Sequence, residues 1–554
     1  MPVFIQDYTP IADSIFLSAL VAGVPLYVLF YMLVVRRSEA YVAALAALGV
    51  GVVVAVIAFG MPLFVALSAA VMGAVFGLFP IMWIVLNALF IYELTVDTGY
   101  FDIIRSSIAA LSQDQRVHAL LIAFSFGALI EGIAGFGTPV ALTAAMMVGL
   151  GFSATSAVVL ALLANTAPVA FGNLGIPIIS LGGVVAPFLD APQTQVIGDL
   201  SAMVGRQIPL LSLVIPSFLV VVLSGWRGLI GVLPAALVAG LSFASTQFLL
   251  ANFLGPQLAD VLAALVSLVA LVALLRFWQP ASLPEYQTRA ERITLPPRSE
   301  IVKAWAPYAI LVVVVIIGSV PMVSSALDQV TLRIPWPALH QQVLRTPPVV
   351  TPAEAGTAAA LFPAIYVFDW LRAAGTLALI AGLLSLPVLG VGPRRALAIY
   401  GQTASGLIKP TVVVTGVLAL AWVLNYGGLT ITLGLFFTFT GPLYPFFSAL
   451  IGWIGVFLTG SDTASNNLFG GLQVTAAQVL GFSPILAAAT NSSGGVTAKM
   501  VSLQNLAIGA AAVGLSGSEG TLLRRTLLWS LGLAAAIGIL ALAQAYVLSF
   551  LVPA

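Results

Sequence analysis

Apolar runs separated by short polar breaks make up nearly the whole chain. A helix needs about 20 apolar residues to cross a bilayer. Runs near that length stand at 14–35, 41–60, 62–79, 81–98, 208–224, 228–250, 257–276, 304–322, 375–390, 442–458 and 526–552. Shorter runs at 117–130, 153–166, 176–189, 397–408, 411–425, 430–440, 484–490 and 500–515 do not all cross alone. The pattern predicts an all-α polytopic membrane protein with about 12–14 crossings and additional re-entrant pieces. A first membrane half covers 1–275, with a hairpin region at 117–190, and a second covers 375–554, with a hairpin region at 442–515. Between them lie a polar linker at 276–303 and a span plus Pro-rich loop at 304–374.

Two stretches break the apolar pattern where it should be most continuous. One is Glu131-Gly-Ile-Ala-Gly-Phe-Gly-Thr-Pro-Val-Ala141, the other Gly460-Ser-Asp-Thr-Ala-Ser-Asn-Asn-Leu-Phe-Gly470. Irregular backbone at membrane depth survives only where protein buries it or where it lines a wet cavity. The two stretches are related: Glu131 and the triplet Gly151-Phe152-Ser153 reappear as Ser461 and Gly481-Phe482-Ser483 at a constant offset of 330. Asn165 then matches Asn491, and Asn173 matches Lys499, at an offset of 326. Interrupted apolar segments at matching places in two halves point to a transporter site. Whether the halves are inverted is not legible.

Composition narrows the class. The chain of 554 residues is 61% hydrophobic and 7% charged, against about 25% charged in soluble domains. A net charge of +1 gives no case for nucleic-acid binding, and the absence of Cys excludes disulfides and thiol chemistry. His118 and His340 share no cluster with other ligands, so no metal or cofactor is expected. The first run follows Asp7 and Asp13 rather than a basic region, so it is read as a retained helix. Arg36-Arg37, the group Arg276, Arg289, Arg292, Arg298 and Lys303, Arg394-Arg395 and Arg524-Arg525 place the 276–303 linker in the cytoplasm and the 323–374 loop outside. No GxxxxGK[ST] loop is present, which removes ATP-driven transport by this chain alone.

The candidate chemistry lies in the broken stretches. Half-helices that stop in mid-membrane present free N–H groups and partial positive charge, which bind carboxylates. Gly135, Gly137 and Gly494 allow backbone to approach a small ligand, although tight helix packing explains glycines in bundles equally well. Thr138, Asn165, Asn173, Ser461, Ser465, Asn466, Asn491 and Ser493 offer hydroxyl and amide groups to a hydroxylated anion. A lone charge at the bilayer centre costs at least ~2.5–3.5 kcal/mol, so charges there are functional candidates. Desolvation favours the protonated form of a carboxylate, which suits Asp462 and Glu131 to carrying a proton. Lys499 is read as the substrate's cation, with Lys409 and Arg206 as further counter-ions. The same oxygen groups could equally cage sodium.

Taken with Ala164-Asn-Thr-Ala-Pro-Val-Ala-Phe-Gly172, Gly175-Ile-Pro177, Met203-Val-Gly-Arg-Gln207 and Asn491-Ser-Ser-Gly-Gly-Val-Thr-Ala-Lys-Met500, the two stretches resemble the L-lactate permease family. These are bacterial proton-coupled transporters of lactate and glycolate. The motifs occur in family order from end to end, with Thr138 where the family often has Ala. The resemblance implies a symporter of the bacterial inner membrane, not an enzyme, that moves a short 2-hydroxy monocarboxylate with a proton and needs no cofactor. It also implies an elevator-like scaffold and transport domain within the bilayer, and folds of that kind are often homodimers. A sodium-coupled carboxylate transporter of the same architecture is the first alternative, an anion channel the second. An intramembrane enzyme would rest on Ser493 and Lys499, a weak dyad six residues apart.

Overall fold

The computed structural model describes residues 3–281, 283–288 and 295–553. Arg289 and Arg292 of the linker lie outside the described residues. Eleven helices among the described residues are long and apolar enough to cross a membrane. Several, such as Leu63–Asp97 and Gln193–Phe253, are too long for one straight crossing and contain breaks. Predicted spans and observed helices agree closely at Ile15–Val35, Ala40–Ile57 and Ala259–Phe277. The 397–408 run behaves differently: it falls in the helix Pro393–Gly406, much of which faces outward.

Strands are few and short. The pair Phe4–Ile5 and Val343–Leu344 is parallel, and Leu332–Pro335 pairs antiparallel with Ile365–Phe368. They give the Pro-rich segment a small folded cap. Arg345 ties that cap to Asp190 at 2.9 Å, just past the helix Gly172–Leu189.

Between the long helices, small residues set the spacing. In a bilayer helices associate through close packing rather than hydrophobic exclusion, which favours Gly and Ala at contacts. The helices Tyr444–Thr459 and Pro484–Gly495 touch backbone to backbone: a Cβ on Gly452 would collide with Asn491, and one on Gly494 with Ala449. Gly494 therefore serves helix packing, the alternative to ligand approach that its composition leaves open. The helix Asp462–Leu480 packs against both of these and against Gly172–Leu189, so the two broken stretches meet inside one body.

Candidate functional site

The second stretch is shaped by its caps. Gly460 closes the helix Tyr444–Thr459 with φ +74°, a left-handed conformation natural to glycine. Ser461 is then extended, and its hydroxyl accepts from the Ala464 N–H at 3.2 Å to start the helix Asp462–Leu480. Asp462 thus sits in the first turn, where the helix dipole favours negative charge. Its Oδ2 accepts from Ser492 Oγ at 2.6 Å and from Asn466 Nδ2 at 3.2 Å, while Oδ1 has no partner.

The first stretch is shaped by backbone instead. Glu131 lies near the end of the helix Gly127–Ile133. The chain then turns through Gly135, Phe136 and Gly137 at φ +49°, +50° and +82°. A second left-handed triplet, Asn173, Leu174 and Gly175 at φ +48°, +55° and +82°, packs against the first. The fit leaves no space: a Cβ on Gly135 would run into the Asn173 amide, and one on Gly172 would lie 3.0 Å from Glu131 Oε1.

These pieces enclose a cavity of ≈ 370 Å³ lined by Glu131, Asn173, Ser461, Asp462 and Lys499, a volume within the usual small-ligand range of about 300–1,000 Å³. Lys499 Nζ stands 4.0 Å from Glu131 Oε1, and the Lys499 charge also acts on Asp462. One buried cation from the second half is therefore shared by carboxylates from both halves. The exposed pair Lys409 and Glu39 stands at the cavity mouth, joined by an ion pair.

The remaining predicted residues occupy other positions. Ser465, Asn466 and Asn491 form a buried layer behind Asp462. Asn491 Nδ2 donates to Asn466 Oδ1 at 2.9 Å, and its Oδ1 accepts from Gln473, which in turn accepts from Tyr444. This layer spends its polar groups on itself and holds Asp462 in place. Asn165 is buried beside Glu131 with both amide atoms otherwise unpartnered, and Ser493 is buried with its hydroxyl free. Gly137 touches Ile508, and Thr138 opens the helix Thr138–Gly149 half-buried. Lys409 is an exposed partner of Glu39, not a buried counter-ion. Arg206 is not brought to the cavity: it donates to Asn252 Oδ1 at 2.9 Å and to the Leu551 carbonyl at 2.7 Å.

Four residues that matter here escape the sequence reading. Gln504 and Asn505 line the cavity from the start of the helix Leu503–Ala512. Ser492 makes the short bond to Asp462 and stands inside a motif already singled out. Asp260, wholly buried in the first turn of Ala259–Phe277, could have been found by the rule that marks Glu131, a carboxylate in an apolar run.

A second cavity of ≈ 1050 Å³ holds Arg206 and the residues around Asp190, Arg333 and Arg372, and it lacks Glu131, Asp462 and Lys499. A thin septum divides the two. On Gly172–Leu189 the smaller cavity reaches Ile176 and Pro177, the larger Ile179 and Gly183. On Ile408–Tyr426 the corresponding residues are Val417 and Trp422, and around Trp83 they are Val85 and Ile84. Phe76 lines the larger cavity there, pressed on Gly183 and 5.2 Å from the Trp422 ring centroid.

The chain as a whole has counterparts among known proteins. The L-lactate permease family matches residues 18–548. The chain belongs to that family. It is 43% identical to the glycolate permease of Escherichia coli K12, covering 99% of both chains. It is 43% identical to the L-lactate permease of Salmonella typhimurium, covering 100% of both, and 41% identical to that of Bacillus subtilis, covering 99% of both. Among solved structures it is similar to the YdaH transporter of Alcanivorax borkumensis, with 14% identity and a TM-score of 0.43 over 85% of this chain and 86% of that one. As a permease the chain is a multi-pass membrane transport protein, not an enzyme.

Proposed function

We propose that this permease carries a short 2-hydroxy monocarboxylate, L-lactate or glycolate, across the membrane together with a proton. The observation that carries the reading is Lys499, buried in a small cavity between Glu131 and Asp462. A substrate carboxylate would take Lys499 as its partner and rest against the N–H groups that open the helix Asp462–Leu480. The hydroxyl would find Asn173, Ser461 or Asn505 within the same walls.

Charge supports the coupling. A substrate anion that engages Lys499 leaves Glu131 and Asp462 without a cation in an apolar surround, where each uncompensated charge costs at least ~2.5–3.5 kcal/mol. Protonation of one carboxylate removes its share of that cost and lowers the net negative charge of the loaded site by one. The cavity mouth at Glu39 and Lys409 follows directly on Arg36-Arg37, the group read as cytoplasmic, so the conformation is read as open inward.

The test uses purified protein in sodium-free liposomes containing a pH dye, with membrane potential clamped. External L-lactate should acidify the interior faster than in empty liposomes, in a saturable way. Asp462→Asn should lose accumulation against a gradient yet keep lactate exchange. Uptake that requires sodium would overturn the coupling ion and leave the transport site standing.

A further inference from the structure

One side-chain amide stands between the two broken stretches. Asn505, in the first turn of Leu503–Ala512, is 1% exposed and lines the cavity that holds Glu131, Asp462 and Lys499. Its Nδ2 donates to Ser502 Oγ at 2.7 Å, to the Lys499 carbonyl at 3.3 Å and to the Gly460 carbonyl at 3.5 Å. Its Oδ1 lies 3.5 Å from the place a Cβ on Gly137 would take. The nitrogen thus belongs to the second stretch, and the oxygen lies toward the first.

The surrounding donors and acceptors fix which way this amide points. A hydroxyl has one hydrogen to give and two lone pairs. Ser502 Oγ gives its hydrogen to the Lys499 carbonyl at 3.1 Å, so toward Asn505 it accepts. It takes the Asn505 backbone N–H at 3.4 Å and the side-chain N–H as well. Turning the amide over would set Oδ1 against the Lys499 and Gly460 carbonyl oxygens with no hydrogen between them. The nitrogen is therefore held on the structural side. Oδ1, reached by no donor among the described residues, is the polar atom that Asn505 keeps for a ligand.

Neighbouring groups on the cavity have other capacities. Lys499 only donates. Ser461 Oγ already accepts from the Ala464 N–H and keeps a hydrogen to give, which suits a carboxylate. Asn467 Oδ1 is engaged by Ser180 at 2.6 Å. Glu131 Oε2, Asp462 Oδ1 and Asn173 Oδ1 are unpartnered, but each atom is sealed by protein.

We propose that Asn505 Oδ1 receives the hydrogen of the substrate's 2-hydroxyl while Lys499 holds the carboxylate, so that the permease selects 2-hydroxy acids over 2-oxo acids and over unsubstituted acids of the same size. A hydroxyl brings the hydrogen that Oδ1 requires. A 2-oxo oxygen brings only lone pairs and would stand oxygen to oxygen. An acid with no oxygen at that carbon leaves Oδ1 desolvated and unpaired. Sites that hydrogen-bond a substrate hydroxyl reject the analogue lacking it more strongly than apolar pockets reject an extra methylene. L-lactate and glycolate share the hydroxyl, so both are accepted. The inference rests on the hydroxy-acid reading above and is independent of the coupling ion.

The experiment measures inhibition of labelled L-lactate exchange in proteoliposomes with the same salt and pH on both sides. The inhibitors are glycolate, pyruvate, propionate and 2-fluoropropionate, whose fluorine is small and has no hydrogen to give. In the unaltered protein glycolate should inhibit about as well as unlabelled lactate, and the other three should need about tenfold higher concentrations or more. Asn505→Ala should collapse the preference for lactate over propionate to within about twofold. A purely structural role would weaken every acid alike and keep the preference, and that result in the folded variant would overturn the proposal. If Asn505→Ala does not fold, the unaltered protein decides: inhibition by 2-fluoropropionate or propionate as strong as by lactate would overturn the acceptor. Absence of any L-lactate exchange in the unaltered protein would instead overturn the hydroxy-acid reading itself.

Discussion

The two broken stretches hold their shapes by different means. The first turns through two left-handed triplets, Gly135–Gly137 and Asn173–Gly175, wedged against each other. The second enters the left-handed region once, at Gly460, and is otherwise held by side chains: Ser461 on Ala464, Ser492 and Asn466 on Asp462, Gln473 on Asn491. Both then pass through a left-handed glycine, Gly151 or Gly481, to a serine-capped helix, at Ser153 or Ser483. The lesson is that related sequence can keep an order of elements while exchanging backbone constraint for hydrogen bonding. The hydrogen-bonded half supplies Asp462 and Lys499, and the constrained half supplies Glu131.

Substitutions can break or sharpen this contrast. The largest effect is expected at Lys499, which links the halves. Lys499→Met leaves two buried carboxylates without their cation, a loss of about 3–5 kcal/mol for one partner of a buried pair, and should raise the apparent substrate constant at least ~100-fold. An unchanged constant would remove Lys499 from the site. Next comes the matched pair Gly135→Ala and Gly460→Ala. Both put a Cβ on a left-handed residue, at roughly 1–2 kcal/mol. Only Gly135→Ala also strikes a wedged tip, so it should yield little folded protein by size-exclusion in detergent. Gly460→Ala, which meets the flexible Gln504 side chain, should fold with a lowered melting temperature. Equal outcomes would erase the distinction between the halves.

Smaller effects test the hydrogen bonds. Ser492→Ala removes the closest donor to Asp462, and hydrogen bonds to charged groups are worth about 1.5–3 kcal/mol. It should weaken uptake against a gradient more than exchange, measured side by side with the same liposomes. Ser461→Ala removes a cap worth about 1 kcal/mol, and should lower thermal stability modestly while transport persists.

How much of this is legible in the sequence follows from what each residue must avoid. Glu131, Asp462 and Lys499 stand out because a charge is costly in an apolar run, and the fold places all three on one cavity. The helices are legible for the same reason, since apolar length alone marks a crossing. Side-chain direction is not written that way. Asn466 and Asn491 carry the same amide as Asn173, yet they face a structural layer while Asn173 faces the cavity. Arg206 and Lys409 are charged in apolar surroundings, but one is held by Asn252 and the other meets Glu39 at the surface. Asp260 could have been marked by the same rule as Glu131, but it begins a span, where an acid ordinarily reaches water, and its burial is visible only in the fold.

The septum bears on the economy of the cell. A cell that charges its membrane with protons loses that work through any unbroken file of water between the two faces. Phe76, seated on Gly183 and against Trp422, stands on the wall of the larger cavity on the side toward the smaller one. On the proton-coupled reading, a substitution at Gly183 that pushed the ring aside would open a leak, and the first sign would be slow collapse of the gradient with no lactate present.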